Sequence, residues 1–225
     1  MKKTVIFALA LCLFMTGCWD NKELNTISIV TGMGIDTSPE GYNLVVQVGK
    51  PQASGQDKSG GKDEDAIIIL ESEQSTIQAA VERLKQETSR ELLLQHNQVI
   101  VFGKEQAEEG VADALDLFMR DNQTRLEVWV VVSETSAKDI LAVQTNLDKN
   151  SAFAINSMIN NEREVSYHIG VNLLEFISTL STESASAVAP IMAVEKDKDD
   201  NDTLVISGMA VFKGKKMVAS FDERL

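Results

Sequence analysis

A charge-free apolar run from Val5 to Met15, opened by Lys2 and Lys3 and closed by the small residues Thr16 and Gly17, decides which part of this chain is left to fold in water. A membrane-spanning helix needs about 20 apolar residues, and the run falls short of that. A short basic region, an apolar stretch of roughly 7–15 residues and a small-residue cleavage site together describe a secretory signal peptide. Residues 1–17 are therefore expected to leave, and the folding chain starts at Cys18. Cys12 lies inside the run and leaves with it, so the mature chain has no partner thiol for a disulfide. An ordinary secreted protein with one unpaired cysteine near its start is the competing reading, but a lone thiol suits an oxidising compartment poorly.

Charge narrows the possible partners. The formal charge is −13; loss of Lys2 and Lys3 takes it to −15 in the mature chain. Such a body has no basic field for nucleic acid. Anionic headgroups would repel it as well, so surface electrostatics cannot hold it on a membrane. Hydrophobic content of 44% with only 5% aromatic residues suits a globular body and predicts an all-aliphatic core.

The pattern beyond Cys18 mixes the two periodicities. Thr26 to Gly34 reads as a strand, Ser38-Pro39-Glu40-Gly41 as a turn, and Tyr42 to Val48 alternates again, which predicts an N-terminal β-hairpin. Lys50 to Asp65, rich in Gly, Ser, Lys and Asp, reads as a mobile surface loop. Ala66 to Glu71 is a short apolar run and predicts a buried strand. Ser75-Thr76-Ile77-Gln78 fits a capping box with Ser75 as cap, followed by Ile77, Val81, Leu84 and Thr88 at helical spacing. Asn97 to Phe102 predicts a strand ended by Gly103, and Ala107, Val111, Ala114, Leu115 and Phe118 predict one face of a single helix. Leu126–Val132 reads as a strand and Ser136–Val143 as a short helix. Helices are then expected over Ala152–Arg163 and Asn172–Leu180. Strands follow at Val188–Val194 and Thr203–Phe212, joined by an acidic hairpin tip, and a last strand starts at Met217-Val218. The fold class is α+β (mixed α/β), a mixed sheet flanked by helices.

Chemistry-bearing motifs are weak by comparison. Gly32-Met33-Gly34 has two glycines of a dinucleotide fingerprint, but Thr37 replaces the third and the segment runs into a turn and strand, so a bend or bulge is expected. Asp197, Asp199 and Asn201 alternate as in a calcium loop, yet Asp202 and Gly208 occupy the positions that need Gly and a bidentate Glu. A solvated hairpin tip fits better. His96 and His168 stand far apart, and the chain has no HExxH, CxxC or G-x-S-x-G. No catalytic residue, metal ligand or cofactor is expected.

Two resemblances carry the functional reading. Met15-Thr16-Gly17-Cys18 resembles a bacterial lipobox, with Met15 where leucine is usual. It implies a diacylglyceryl group on the Cys18 sulfur and an acyl group on its amine. Two or more acyl chains hold a protein stably, at about 0.8 kcal/mol per buried methylene. Cys18-Trp19-Asp20-Asn21-Lys22-Glu23-Leu24-Asn25 and Ile29-Val30-Thr31-Gly32-Met33-Gly34-Ile35-Asp36 resemble the start of the Ger(x)C family, lipoprotein C subunits of spore germinant receptors. His96-Asn97-Gln98-Val99-Ile100-Val101-Phe102-Gly103, Glu109-Gly110-Val111-Ala112-Asp113, Phe118-Met119-Arg120-Asp121, Thr135-Ser136-Ala137-Lys138-Asp139-Ile140-Leu141 and Gly208-Met209-Ala210-Val211-Phe212-Lys213-Gly214 extend the likeness in the same order.

That resemblance implies a non-enzymatic subunit on the outer face of the spore inner membrane, beside integral membrane A and B subunits that answer to small nutrients. It also implies an organisation of signal peptide 1–17, lipidated tether 18–25, N-terminal domain 26–200 and, at 201–225, the first strands of a following domain. Trp19 suits the headgroup interface, and Trp19 and Asp20 would form the membrane-proximal stretch. A solute-binding lipoprotein of a transporter and a structural envelope lipoprotein are the alternatives. A solute binder normally has two lobes around a cleft, for which this chain is short.

Overall fold

The computed structural model describes residues 26–49, 67–120, 124–145, 148–165, 170–182 and 184–222. Cys18, Trp19, Asp20, His168 and the segment Lys50–Asp65 lie outside them. Nine strands form one mixed sheet among the described residues. Strand β1 (Ile27–Ser38) turns at Gly41, whose φ of 132° favours glycine, into antiparallel β2 (Gly41–Gly49). Strand β3 (Ile67–Gln74) adds to β2 and ends that side of the sheet. On the other side of β1 the parallel strands β5 (Val99–Phe102), β6 (Trp129–Ser133) and β7 (Ala187–Lys196) follow in order. Short β4 (Glu91–Leu93) also pairs with β1. Antiparallel β8 (Asp202–Lys213) and β9 (Lys216–Asp222) extend the same sheet beyond β7.

Both faces are covered by helices, which is why β5 and β6 read as unbroken apolar runs instead of alternating ones. On one face lie α1 (Ile77–Glu87), α2 (Lys104–Glu109), α3 (Ala112–Arg120) and α6 (Leu173–Leu180), against Met33, Ile35, Leu44, Ile100, Phe102 and Val130. On the other, α4 (Ala137–Ala142) and α5 (Ser151–Val165) meet Val45, Val99, Val101 and Val131. The core is aliphatic in bulk but not throughout. Phe102, Phe118, Phe176 and Phe212 are fully buried, and Phe176 meets Phe212 edge-on with ring centroids 5.1 Å apart. A low aromatic content says nothing about where the few aromatic rings go.

The β-hairpin, the bulge beside Gly32, the sheet-with-helices class and the acidic hairpin tip follow the sequence pattern, and three details differ. The run at Ile67–Leu70 is an edge strand with Ile68 43% exposed, not a buried one; apolar content alone does not tell edge from centre. The cap of α1 is Thr76, whose hydroxyl accepts from the Ala79 N–H at 3.1 Å, one residue later than Ser75. The expected single helix through Ala107 and Phe118 is broken at Gly110 (φ 140°), which caps α2 before α3 restarts. The expected bulge is present: the β1–β2 register slips between Val30 and Gly32, at Thr31, which puts Val30, Met33 and Ile35 on one face.

Candidate functional site

The glycines of Gly32-Met33-Gly34 are where the second helical layer touches the sheet. A Cβ on Gly32 would stand 2.7 Å from Leu141 Cδ2, and one on Gly34 2.8 Å from the Ala137 Cβ. The motif is thus a seat for α4 and α5, with no phosphate loop about it. Beneath α5, the bulged Thr31 donates its hydroxyl to Gln47 Oε1 at 2.9 Å. Gln47, fully buried on β2, donates to the Leu141 carbonyl at 2.7 Å and to Ser151 Oγ at 2.8 Å. Its Oε1 also accepts from the Ala152 N–H, and Asn150 donates to Thr31. One glutamine therefore joins the bulge of β1, the end of α4 and the start of α5.

Just past the carboxyl end of the parallel strands lies a cleft of about 360 Å³ lined by Asp36, Lys104, Glu105, Glu134, Ser136 and Asp139 among others. Crevices of this kind are the usual ligand positions in open α/β sheets. Asp36, at the end of β1, accepts from the Ala137 N–H at 2.6 Å and the Lys138 N–H at 3.2 Å, the free donors at the start of α4. Its carboxylate packs so closely on Gly103 that a Cβ there would fall 2.0 Å from Oδ1. Three segments distant in sequence are latched by that contact. Burial raises the Asp36 pKa, the two backbone hydrogen bonds oppose the rise, and Asp139 and Glu71 add to it. Asp139 behaves in the opposite way. Burial pushes it up, but hydrogen bonds from Ser136 and Thr135 outweigh that, and its carboxyl sits below the usual range. With Ser136 it closes a reciprocal capping box on α4.

The cleft is acidic, with the ammonium of Lys104 as its one lining cation. Two hydroxyls in it donate to carboxylates, Thr37 to Glu105 at 3.0 Å and Thr135 to Asp139 at 2.9 Å, and among the described residues no cluster of three His, Cys, Asp or Glu could hold a metal ion. His96 sits exposed in the short 3₁₀ turn Leu94–His96, away from the cleft. Asp197 spends its carboxylate on its own turn, accepting from the Asp199 N–H at 2.8 Å and the Asn201 N–H at 2.9 Å; these backbone bonds, that from Asn201 foremost, lower its pKa. The arrangement makes a cleft with a negative mouth. Neither the Gln47 cluster nor the Asp36 latch was singled out from the sequence, where their members are about 70 to 100 positions apart; a polar Gln within the apolar alternation of β2 was the only local sign.

No described helix is long and apolar enough to cross a membrane. Together the features define a mixed-sheet domain with helices on both faces. The family described as the spore germination protein N-terminal domain matches residues 20–194, and the chain belongs to this Ger(x)C family. Among curated relatives, the Bacillus subtilis protein YfkR is 29% identical over 232 residues, covering 99% of this chain and 59% of YfkR. Spore germination protein KC of Bacillus subtilis is 28% identical over 216 residues, 88% of this chain and 53% of that protein. Spore germination protein GerQC of Bacillus cereus is 22% identical over 218 residues, 97% and 57% respectively. The chain thus spans between half and two thirds of the length of these relatives. No solved structure matches it.

Proposed function

We propose that this chain is the lipid-anchored C-type subunit of a spore germinant receptor, held on the outer face of the spore inner membrane through Cys18 and assembled with integral membrane A and B subunits. The observation that carries the reading is the family match, which starts at residue 20, two positions after the lipobox-like cysteine. Relatives named as spore germination proteins across almost the whole chain support it. The role is non-enzymatic: the domain offers partners a rigid, acidic surface and stabilises the assembly that responds to small nutrients. A change to a following unit near residue 200 is part of this reading, and the end of the family match at residue 194 supports it; β8 and β9 themselves belong to the shared sheet.

A tagged chain expressed in sporulating cells tests this reading. Pull-down from detergent-solubilised spore inner membrane should recover two multi-spanning proteins, and Cys18→Ser should abolish radioactive palmitate labelling and release the chain from the membrane. Recovery of the chain alone would refute the assembly role, and undiminished labelling of Cys18→Ser would refute the anchor.

A further inference from the structure

Where α1 and α3 converge over β1, the packing leaves a cavity of about 200 Å³. Its floor is apolar: Met33 (1% exposed), Val81, Leu94 and Phe118 are all buried. Its mouth carries two cations, Lys85 in the last turn of α1 and Arg120 in the last turn of α3. No carboxylate lines it among the described residues. Arg120 engages Asp116 through Nε at 3.0 Å, a contact that does not use its Nη groups. Lys85 makes no ion pair among the described residues. An apolar pit under two cations calls for a ligand with the opposite arrangement, a short hydrocarbon chain ending in an anion.

We propose that this cavity binds a small aliphatic monocarboxylate, its chain against Met33, Val81 and Phe118 and its carboxylate between Lys85 and Arg120. A planar carboxylate suits the guanidinium fork better than a point anion does. At about 30 Å³ per water-sized atom, the cavity holds about seven non-hydrogen atoms. With the carboxylate held at the mouth, the apolar part of a five- or six-carbon acid fits within that, whereas a long-chain fatty acid is far too large. A zwitterion fits less well, because its ammonium would meet Lys85 and Arg120 with no acidic side chain among the described lining residues. The site lies on the helical layer opposite α4 and α5 and does not depend on the membrane role proposed above.

The experiment is photolabelling of the full chain in phospholipid vesicles with 4,4-azipentanoate, a five-carbon carboxylate carrying a diazirine. Label is expected on peptides containing residues 77–87 and 112–120, saturable and displaced by hexanoate. Hexanol, which lacks the charge, should displace it about tenfold less well. Lys85→Gln, at an exposed position that leaves the fold intact, should weaken labelling about tenfold, whereas Lys213→Gln on the β8–β9 turn should not change it. Label scattered over the surface, label indifferent to hexanoate, or equal competition by hexanol would each overturn the proposal. The result stands whether or not the chain is lipidated or meets partner subunits, so its failure is distinct from failure of the receptor reading.

Discussion

The two faces of the sheet are closed by different means. Under α1, α3 and α6 the contact is apolar, with Phe102, Phe118, Phe176 and Phe212 filling the volume. Under α4 and α5 the side chains are smaller, glycines bring helix and strand together, and a buried glutamine ties four backbone segments. The first face gains its stability from area removed from water, which is additive and tolerant of small shifts. The second depends on every polar group finding its partner, since an unpaired buried group costs about 1–3 kcal/mol. Area holds one layer in place; geometry fixes the other.

That contrast can be broken at its strongest point by Phe102→Ala. Loss of a fully buried phenyl should cost about 3–5 kcal/mol in urea unfolding, and a loss below about 2 kcal/mol would mean that the first layer collapses to fill the gap. Gln47→Leu keeps the volume and removes the hydrogen bonds; the Ser151 hydroxyl still donates to the Leu141 carbonyl at 3.0 Å, but the Ala152 N–H loses its acceptor, so the change should cost about 1–3 kcal/mol. A double-mutant cycle with Thr31→Val should show coupling of about 1 kcal/mol; strict additivity would show that the cluster is not one unit.

A finer test concerns Asp36 and Asp139, which flank the same helix start. The raised pKa of Asp36 means that its contribution is fully present below 3.8 and is lost as pH rises through the folded-state value. The lowered pKa of Asp139 means the reverse: its contribution is present above 3.8 and is lost as pH falls through the folded-state value. Carboxyl carbon shifts followed by NMR should therefore show Asp139 titrating below 3.8 and Asp36 above it. A value below 3.8 for Asp36 would mean that the two backbone hydrogen bonds of the latch outweigh burial. The smallest effect is optical. Tyr42 donates to Asp113 Oδ2 at 2.6 Å across the β2–α3 contact, and that bond, with lesser help from burial, pushes its pKa up to about 12. Absorbance titration should show one late-ionising tyrosine, absent in Tyr42→Phe.

Local periodicity was enough to read most elements from the sequence. The hairpin at Ser38–Gly41, the helix through Val81 and Leu84 and the capped helix after Ser136 all carry their signals within a few residues. What escaped was set at long range. Ile67–Leu70 looks as buried as Val99–Phe102, and it is an edge because no further strand among the described residues pairs with β3 beyond β2. Gly110 breaks a helix whose apolar spacing runs straight through it. The Asp36–Gly103–Ala137 latch joins three segments that show nothing locally but one acid, one glycine and one alanine. Sequence resemblance reached the family at once, and no residue pattern pointed to the cleft or to the glutamine cluster.

The order of strands has a consequence for how such a chain assembles. From β1 outward on one side, β5, β6, β7, β8 and β9 lie in the order in which they occur along the chain, and β2 and β3 do the same on the other. Each strand meets an edge already present when it arrives, so no loop has to be threaded between strands set earlier. The parallel pairings are long-range and therefore slow to close, but each closes on a growing template. A chain that appears from its amino terminus can zip its sheet as it emerges, with the first hairpin as the nucleus that every later strand extends.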